Sequence, residues 1–345
     1  MSTRTGGRIG GYRLLRDFVG GANCRWTFAE ANGREFFVKE FQRPKHPPDD
    51  LPAALRPDRL ARCAAFERRH RRLLGVLRAT GGGIVAPVAF FREGLAYYHV
   101  SPRVRLDDAA VSGVARRTRH ERAALLRTLI RAVLALHGGG VAHGDLKPAN
   151  VLIETGSDGR TRARVIDFDG AFFVDAPPDA GDLEFDQAYM APETLDYVQR
   201  AGSAPPGLAA DIFALGLLLH EYWTGFRPAT VGTHRYAAEA VRAGDGVRLL
   251  GAALDPALER LIRRALAADP AARPTAWEAD AALAELTAPL RAPAGFPSVL
   301  AAIPASIPAA ARPAGFAEPP PPPLLPSSGA VVIRRSRNLA PDDDA

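Results

Sequence analysis

A polar loop fixed between a helix and a strand constrains this chain more than any other feature. From Arg122 onward, apolar residues recur at helical spacing until three consecutive glycines, at 138–140, stop the pattern. The polar stretch 143–150 follows, and the aliphatic residues 151–153 come directly after it. We therefore expect a buried helix, a loop that carries charged side chains and a buried strand, in this order.

Three side chains in this loop have complementary chemistry. Asp145 offers a carboxylate, Lys147 a cation and Asn150 an amide oxygen, and a second carboxylate, Asp167, follows another apolar strand pattern. Transfer of a phosphoryl group needs a carboxylate that orients the attacking hydroxyl, a cation beside the moving group and oxygen ligands for Mg²⁺. The spacing favours this chemistry, with Asp145 on the hydroxyl, Lys147 on the γ-phosphoryl group, and Asn150 and Asp167 on the metal.

The order of patterns along the chain indicates an α+β protein. Before about residue 100, apolar alternation and glycines predict strands, interrupted by one helix over residues 58–78 that follows the breaker-rich segment 44–57. Residues 211–224 and 256–268 are predicted to form later helices. We expect a β-rich N-terminal lobe followed by a helical C-terminal lobe.

The composition changes after about residue 289. Alanine and proline dominate residues 289–345, prolines occupy 319–323, and the hydrophobic periodicity ends. We predict a disordered tail here. Its proline run is either a solvated spacer or a polyproline helix that docks in an aromatic groove.

Bulk properties exclude several classes of protein. The net charge of +6 and the basic run at 68–72 fit nucleic-acid binding, but no zinc pattern or recognition helix accompanies them, so we expect no nucleic-acid partner and a solvated helix face. No apolar stretch reaches the roughly 18 residues of a membrane span. The two cysteines, Cys24 and Cys63, are too few for a disulfide framework, which favours the cytoplasm. No pattern indicates an oligomeric state.

Several separated motifs, in order, make the chain resemble the eukaryotic-like (Hanks-type) serine/threonine protein kinases of bacteria over roughly residues 10–285. Besides the loop, Ala191-Pro192-Glu193 matches the motif that closes the activation segment, and Arg273 matches the arginine that pairs with that glutamate. Asp211 resembles the buried aspartate that braces the catalytic loop, although a helix N-cap is compatible with the same placement.

The resemblance implies a two-lobed kinase domain over residues 10–288, with lobes of about 10–100 and 101–288. It also implies use of ATP and Mg²⁺ and transfer of the γ-phosphoryl group to a serine or threonine of a protein substrate. Lys39 corresponds to the lysine that holds the α- and β-phosphates, and Glu67 in the following helix is its expected ion-pair partner.

The phosphate-binding glycine loop is the weakest match to this family. Val19 and Cys24 occupy the positions of the first and third family glycines, and only Gly21 falls on the pattern. The backbone amides around Val19, Gly20 and Gly21 can still hold phosphate, in a loop that Cys24 and Trp26 make bulkier.

Departures from the family pattern concern regulation and the substrate. Gly144 stands where most protein kinases have the arginine that binds the phosphate of an activated loop, and residues 167–193 contain no serine or threonine, with Tyr189 as their only hydroxyl. We therefore expect that phosphorylation of this segment is not the switch. Asp169 replaces the glycine of the DFG motif, and Asp186 lies near the family position of a threonine that contacts the catalytic aspartate.

Two other interpretations stay open. The HGD triplet, the later asparagine and the I-D-F-D sequence also resemble small-molecule phosphotransferases of the aminoglycoside and choline type, which generally lack the Ala191-Pro192-Glu193 motif and its arginine partner. A pseudokinase scaffold is the non-enzymatic alternative, because the glycine loop is degenerate and Arg71 occupies an apolar spine position four residues after Glu67. The presence of Lys39 and of both metal ligands argues against a scaffold.

Overall fold

The computed structural model describes residues 5–20, 24–104, 111–156, 158–183, 185–200, 202–250 and 254–287. The tail that the composition predicts to be disordered lies outside these residues, and so does Gly21 of the predicted phosphate loop. All elements below belong to one unit, Met1–Ala288.

Among the described residues, an antiparallel sheet of seven strands forms most of the N-terminal lobe, as the alternating pattern predicts. The strands are β1 (Arg8–Ile9), β2 (Tyr12–Leu14), β3 (Val19–Gly20), β4 (Cys24–Ala31), β5 (Arg34–Phe41), β6 (Ala89–Glu93) and β7 (Ala96–Pro102). Their order is β1, β2, β4, β5, β7, β6, and β3 pairs with β4. One face of the sheet buries Leu14, Ala29 and Val38 in a small core.

Helix α1 (Arg56–Thr80) packs against both lobes. It confirms the helix predicted over 58–78, and it begins with a proline in its first turn, where the missing N–H has no intrahelical partner. Its first half contributes Cys63 to a cluster with Phe41 and Tyr97 of the sheet. Its second half contributes Leu73 and Leu77 to the main core, which lies in the C-terminal lobe. The position of α1 therefore couples the sheet to the helical lobe.

The C-terminal lobe is mainly helical, which confirms the predicted order of lobes. Its helices are α2 (Val111–Ala115), α3 (Arg119–Gly138), α4 (Pro192–Gln199), α5 (Leu208–Thr224), α6 (Ala237–Ala243), α7 (Pro256–Ala265) and α8 (Ala276–Thr287). Helix α3 begins before Arg122 because Thr118 and Glu121 form a capping box. The residue that caps α5 is Gly207, so the alternative interpretation of Asp211 as a helix N-cap is wrong.

Three short strand pairs complete this lobe. They are β8 (Val141–Ala142) with β11 (Phe172–Phe173), β9 (Val151–Thr155) with β10 (Thr161–Val165), and β12 (Ala229–Thr230) with β13 (Val247–Arg248). Strands β8 and β9 flank the polar loop 143–150, and β10 ends just before Asp167. Within the described part of the chain, no helix is both long enough and apolar enough to cross a membrane.

Candidate active site

The polar loop is braced by a buried carboxylate on α5. Oδ2 of Asp211 accepts hydrogen bonds from the backbone N–H of His143 (2.7 Å) and from Nε2 of His137 (2.9 Å), and Oδ1 accepts one from the backbone N–H of Gly144 (3.0 Å). Burial opposes ionisation of Asp211, but the bonds from the two histidines lower the pKa of this carboxyl below its ordinary value. The charged Asp211 thus fixes the start of the loop.

Asp145 is held through one oxygen only. Its Oδ2 lies 2.6 Å from Nζ of Lys147 and accepts a hydrogen bond of 3.1 Å from Nδ2 of Asn150. Its Oδ1 is buried and has no hydrogen-bond partner among the described residues. Burial raises the pKa of Asp145, Lys147 opposes this effect, and the charge of Asp167 adds to it.

Asp167 is placed by an unusual backbone conformation. It follows β10 with a φ of 63°, a left-handed conformation that L-residues other than glycine rarely adopt. Its Oδ1 lies 2.6 Å from Nζ of Lys39, and Oδ2 of Asp169 lies 2.5 Å from the same nitrogen. Burial opposes its charged form, but Lys39 lowers the pKa of Asp167 below its ordinary value. Strained residues of this kind are frequent at functional sites.

The oxygen donors near this loop suit a hard cation. Nδ2 of Asn150 donates to the backbone oxygen of Asp145 (2.8 Å) as well as to its carboxylate, which leaves the amide oxygen of Asn150 as the atom for a metal. With the carboxylate of Asp167 this gives two oxygen ligands. Mg²⁺ is commonly bound by one or two carboxylates together with substrate phosphates, so the donor set fits the predicted ion.

The predicted pairing of Lys39 with Glu67 is not formed in the structure. Glu67 lies on α1, where Oε2 pairs with Arg71 one turn further on (2.7 Å) and Oε1 accepts a hydrogen bond from the hydroxyl of Tyr97 (2.9 Å). Both oxygens of Glu67 are therefore engaged, and Lys39 pairs with the two aspartates instead. The i, i+4 spacing of Glu67 and Arg71 was the signal in the sequence for this competing pair.

The described residues of the predicted phosphate loop lie in β3 and at the start of β4, which pair with each other. Val19 lies opposite Trp26 and Gly20 opposite Arg25. Gly20 has a φ of 134°, and a Cβ atom there would lie 2.8 Å from the backbone oxygen of Cys24, so this position requires glycine. The Cys24 side chain is buried.

An aromatic surface that sequence reasoning missed lies beside Lys39. In the ladder of β4 and β5, Trp26 is opposite Lys39 and Phe28 is opposite Phe37, so all four side chains share one face of the sheet. The ring of Trp26 stacks on Phe37 at a centroid distance of 5.5 Å, and the guanidinium of Arg16 lies 4.2 Å from the Trp26 ring. The alternation of these aromatic residues in the two strands was the available signal.

Residues of α1 hold the segment that follows Asp167. Nη2 of Arg69 donates to the backbone oxygens of Asp169 (2.9 Å) and Ala171 (2.5 Å). Arg72 forms two hydrogen bonds with the carboxylate of Asp175, at 3.0 and 2.7 Å. The basic run of α1 is thus not merely a solvated face, because two of its arginines fix this segment to the helix.

The far end of the segment is fixed by a buried ion pair. Arg273 donates to both carboxylate oxygens of Glu193, at 2.6 and 2.8 Å, and also to the backbone oxygens of Ala209 and Ala267. This confirms the pairing that the two motifs predict. The guanidinium is fully buried, and its planar donors match the carboxylate.

The chain belongs to the protein kinase family. The match to the family described as protein kinase domain covers residues 82–283, which is more than half of the chain. It includes Asp145, Lys147, Asn150 and Asp167, whereas Lys39 and the other N-terminal residues lie before it. The matched residues include Glu193 and Arg273, whose motifs the small-molecule phosphotransferases generally lack.

Curated relatives are named as protein kinases, and two of the three below as serine/threonine-protein kinases. The chain is 31% identical over 165 residues to serine/threonine-protein kinase pkn3 of Myxococcus xanthus, covering 45% of this chain and 29% of the relative. It is 32% identical over 174 residues to serine/threonine-protein kinase PkaB of Streptomyces coelicolor, covering 47% and 39%. It is 33% identical over 165 residues to calcium-dependent protein kinase 9 of Oryza sativa, covering 47% and 27%. The alignments thus span less than half the length of these relatives.

Proposed function

We propose that this chain is an ATP-dependent protein serine/threonine kinase that transfers the γ-phosphoryl group of Mg·ATP to a hydroxyl of a protein substrate. The observation that carries the proposal is the Oδ1 atom of Asp145, a buried acceptor without a partner beside a lysine and two candidate metal ligands. A buried carboxylate oxygen in this state is suited to accept the hydrogen bond of an incoming hydroxyl.

The chain's own residues have distinct tasks in this reaction. Asp145 receives the hydroxyl proton at Oδ1 as the oxygen bonds to the γ-phosphorus and the bond to the ADP oxygen breaks. Lys147 is placed near this position by its contact with Asp145 and stabilises negative charge there. Asn150 and Asp167 would hold Mg²⁺, which would neutralise phosphate charge. Lys39 binds the α- and β-phosphates, and the backbone amides around Val19, Gly20 and Gly21 of the predicted phosphate loop hold phosphate.

We further propose that the kinase is active without phosphorylation of its activation segment. Gly144 has a φ of 76°, and a Cβ atom there would lie 2.4 Å from the backbone oxygen of Gly170, so the phosphate-binding arginine of other kinases does not fit. The hydroxyl of Tyr189 donates to Glu221 at 2.6 Å and is half-buried. Asp175 holds this segment to Arg72 of α1 without a phosphate.

The proposed domain covers residues 10–288, followed by the proline-rich tail, and we propose the cytoplasm as its location. Neither cysteine forms a disulfide and both are buried, which suits a reducing compartment. That the substrate is a protein also belongs to this proposal, because the names of the relatives describe the relatives and not this chain.

The test is transfer of radiolabelled γ-phosphate from Mg·ATP by the wild type and by Asp167→Asn. The acceptors are the chain itself, a basic protein, and a panel of aminoalcohols and aminoglycosides. We expect label on protein serine or threonine that is lost in the variant. Label on a small molecule alone would identify a small-molecule phosphotransferase, and no transfer by a folded wild type would favour a scaffold.

A further inference from the structure

Lys39 is held by a carboxylate that has no assigned task. Asp169 stands where the DFG motif has glycine, and its Oδ2 lies 2.5 Å from Nζ of Lys39. Asp167, at 2.6 Å, is the second partner and is assigned to the metal. The side chain of Lys39 is almost completely buried, so these contacts determine where its charge lies.

Glu67 does not compete for Lys39 in this arrangement. Its two oxygens are engaged by Arg71 and Tyr97, and no ion pair joins it to Lys39 within the described residues. The family resemblance places Glu67 beside Lys39. In this structure Asp169, from the segment after β10, takes that place.

The backbone of Asp169 is itself fixed to α1. Arg69 donates to its main-chain oxygen at 2.9 Å, and Arg72 holds the same segment through Asp175. A continuous set of contacts thus runs from α1 through Arg69 and the main chain of Asp169 to its carboxylate, and from there to Lys39. The helix remains connected to the lysine, although Glu67 is not part of the connection.

We propose that Asp169 is the positioning residue that presents Lys39 to the phosphates of the nucleotide. The inference rests on the proposed function and deepens it. A lysine has a flexible four-carbon stem, and fixing this stem on phosphate binding costs conformational entropy. The cost is smaller when another group already holds the ammonium. Asp169 provides this order, so that Lys39 stays held when Asp167, its second partner, takes part in binding the metal.

The test compares the affinities for ATP and for adenosine, without divalent metal, by isothermal titration calorimetry. The ratio of the two affinities isolates the contribution of the phosphates. We expect Asp169→Asn to lower this ratio about tenfold, as loss of a hydrogen bond to a charged group does. Asp169→Glu should keep most of the wild-type ratio. Glu67→Gln should lower the ratio less than Asp169→Asn does. Asp158→Asn, which makes the same change in the turn between β9 and β10, leaves the ratio unaltered.

A double-mutant cycle separates positioning from general damage to the fold. In a Lys39→Met background, Asp169→Asn should change the ratio no further, because its effect acts through the lysine. An equal fall in both backgrounds would overturn the proposal. So would tighter ATP binding or faster transfer in Asp169→Asn, since Asp169 would then withhold Lys39 from the nucleotide. A wild type that binds ATP but transfers no phosphate contradicts the proposed function alone, because the binding ratio still tests Asp169.

Discussion

The polar loop of the C-terminal lobe and the lysine of the N-terminal lobe are organised in different ways. Asp145, Lys147 and Asn150 come from one continuous stretch, and their contacts join them to one another. Lys39 lies on a strand and depends on groups that other elements deliver, and it meets Asp167 and Asp169. Contacts within a short loop follow from its sequence, whereas contacts between distant elements depend on how each element packs.

Asp145→Asn tests the polar loop and should have the largest effect of all the proposed variants. The change keeps the shape of the side chain but removes the basicity of the buried oxygen that lacks a partner. We expect phosphoryl transfer to fall about a thousandfold, within the range of a general base, while ATP affinity changes little. Transfer within tenfold of the wild type would show that Asp145 does not take the hydroxyl proton.

The stability of the helical lobe should depend strongly on the ion pair of Arg273. Arg273→Ala leaves the carboxylate of Glu193 without its buried partner, and we expect the free energy of unfolding to fall by about 3–5 kcal/mol. Urea denaturation measures this change. The control is Arg263→Ala, which removes an exposed i, i+4 pair with Glu259 and should lower the same free energy by about 0.3–0.5 kcal/mol. Similar losses in both variants would contradict a structural role for the buried pair.

Acid should destabilise the two regions in different pH ranges. His70 of α1 packs among aromatic rings, and burial lowers its pKa from 6.5 to about 4. Between these pH values the unfolded chain binds a proton that the folded chain does not, so the free energy of unfolding falls as the pH falls from about 6.5 to about 4. The pKa of Asp211, which braces the polar loop, is lowered below 3.8. Protonation of this carboxylate therefore lowers the free energy of unfolding only below about that pH.

His70→Leu tests the upper range. In the wild type, the protonation of His70 should lower the free energy of unfolding by on the order of 2–3 kcal/mol between about pH 6.5 and about pH 4, and this decrease should be absent in the variant. Urea denaturation across that pH range measures it. His99 also has a pKa well below its ordinary value because of burial, so part of the loss remains in the variant. An unchanged pH profile would show that His70 is protonated in the folded chain.

Sequence reasoning found the helical lobe and the polar loop more completely than the surroundings of Lys39. Asp145 and Asn150 lie five residues apart in one motif, so their contact follows from the chain itself. The pairing of Glu193 with Arg273 was found because both belong to recognisable motifs. The predicted pairing of Glu67 with Lys39 is not formed in the structure, because the partner of Glu67 depends on competition among Arg71, Tyr97 and Lys39, which the position of α1 decides. Periodicity predicts a helix but not the rotation that sets its contacts.

The smallest predicted effect concerns the aromatic surface beside Lys39. Trp26, Phe28 and Phe37 share the face of the sheet from which Lys39 extends, so a nucleotide whose phosphates contact this lysine places its base near these rings. Stacking of a base on an aromatic ring contributes about 1–3 kcal/mol, and we expect Trp26→Ala to weaken ATP binding about tenfold. The matched control is Trp277→Ala, because this tryptophan is 68% exposed on α8 and should not affect the affinity. Calorimetric titration with ATP measures both variants, and equal affinities would place the base away from this face and leave the rings with a packing role alone.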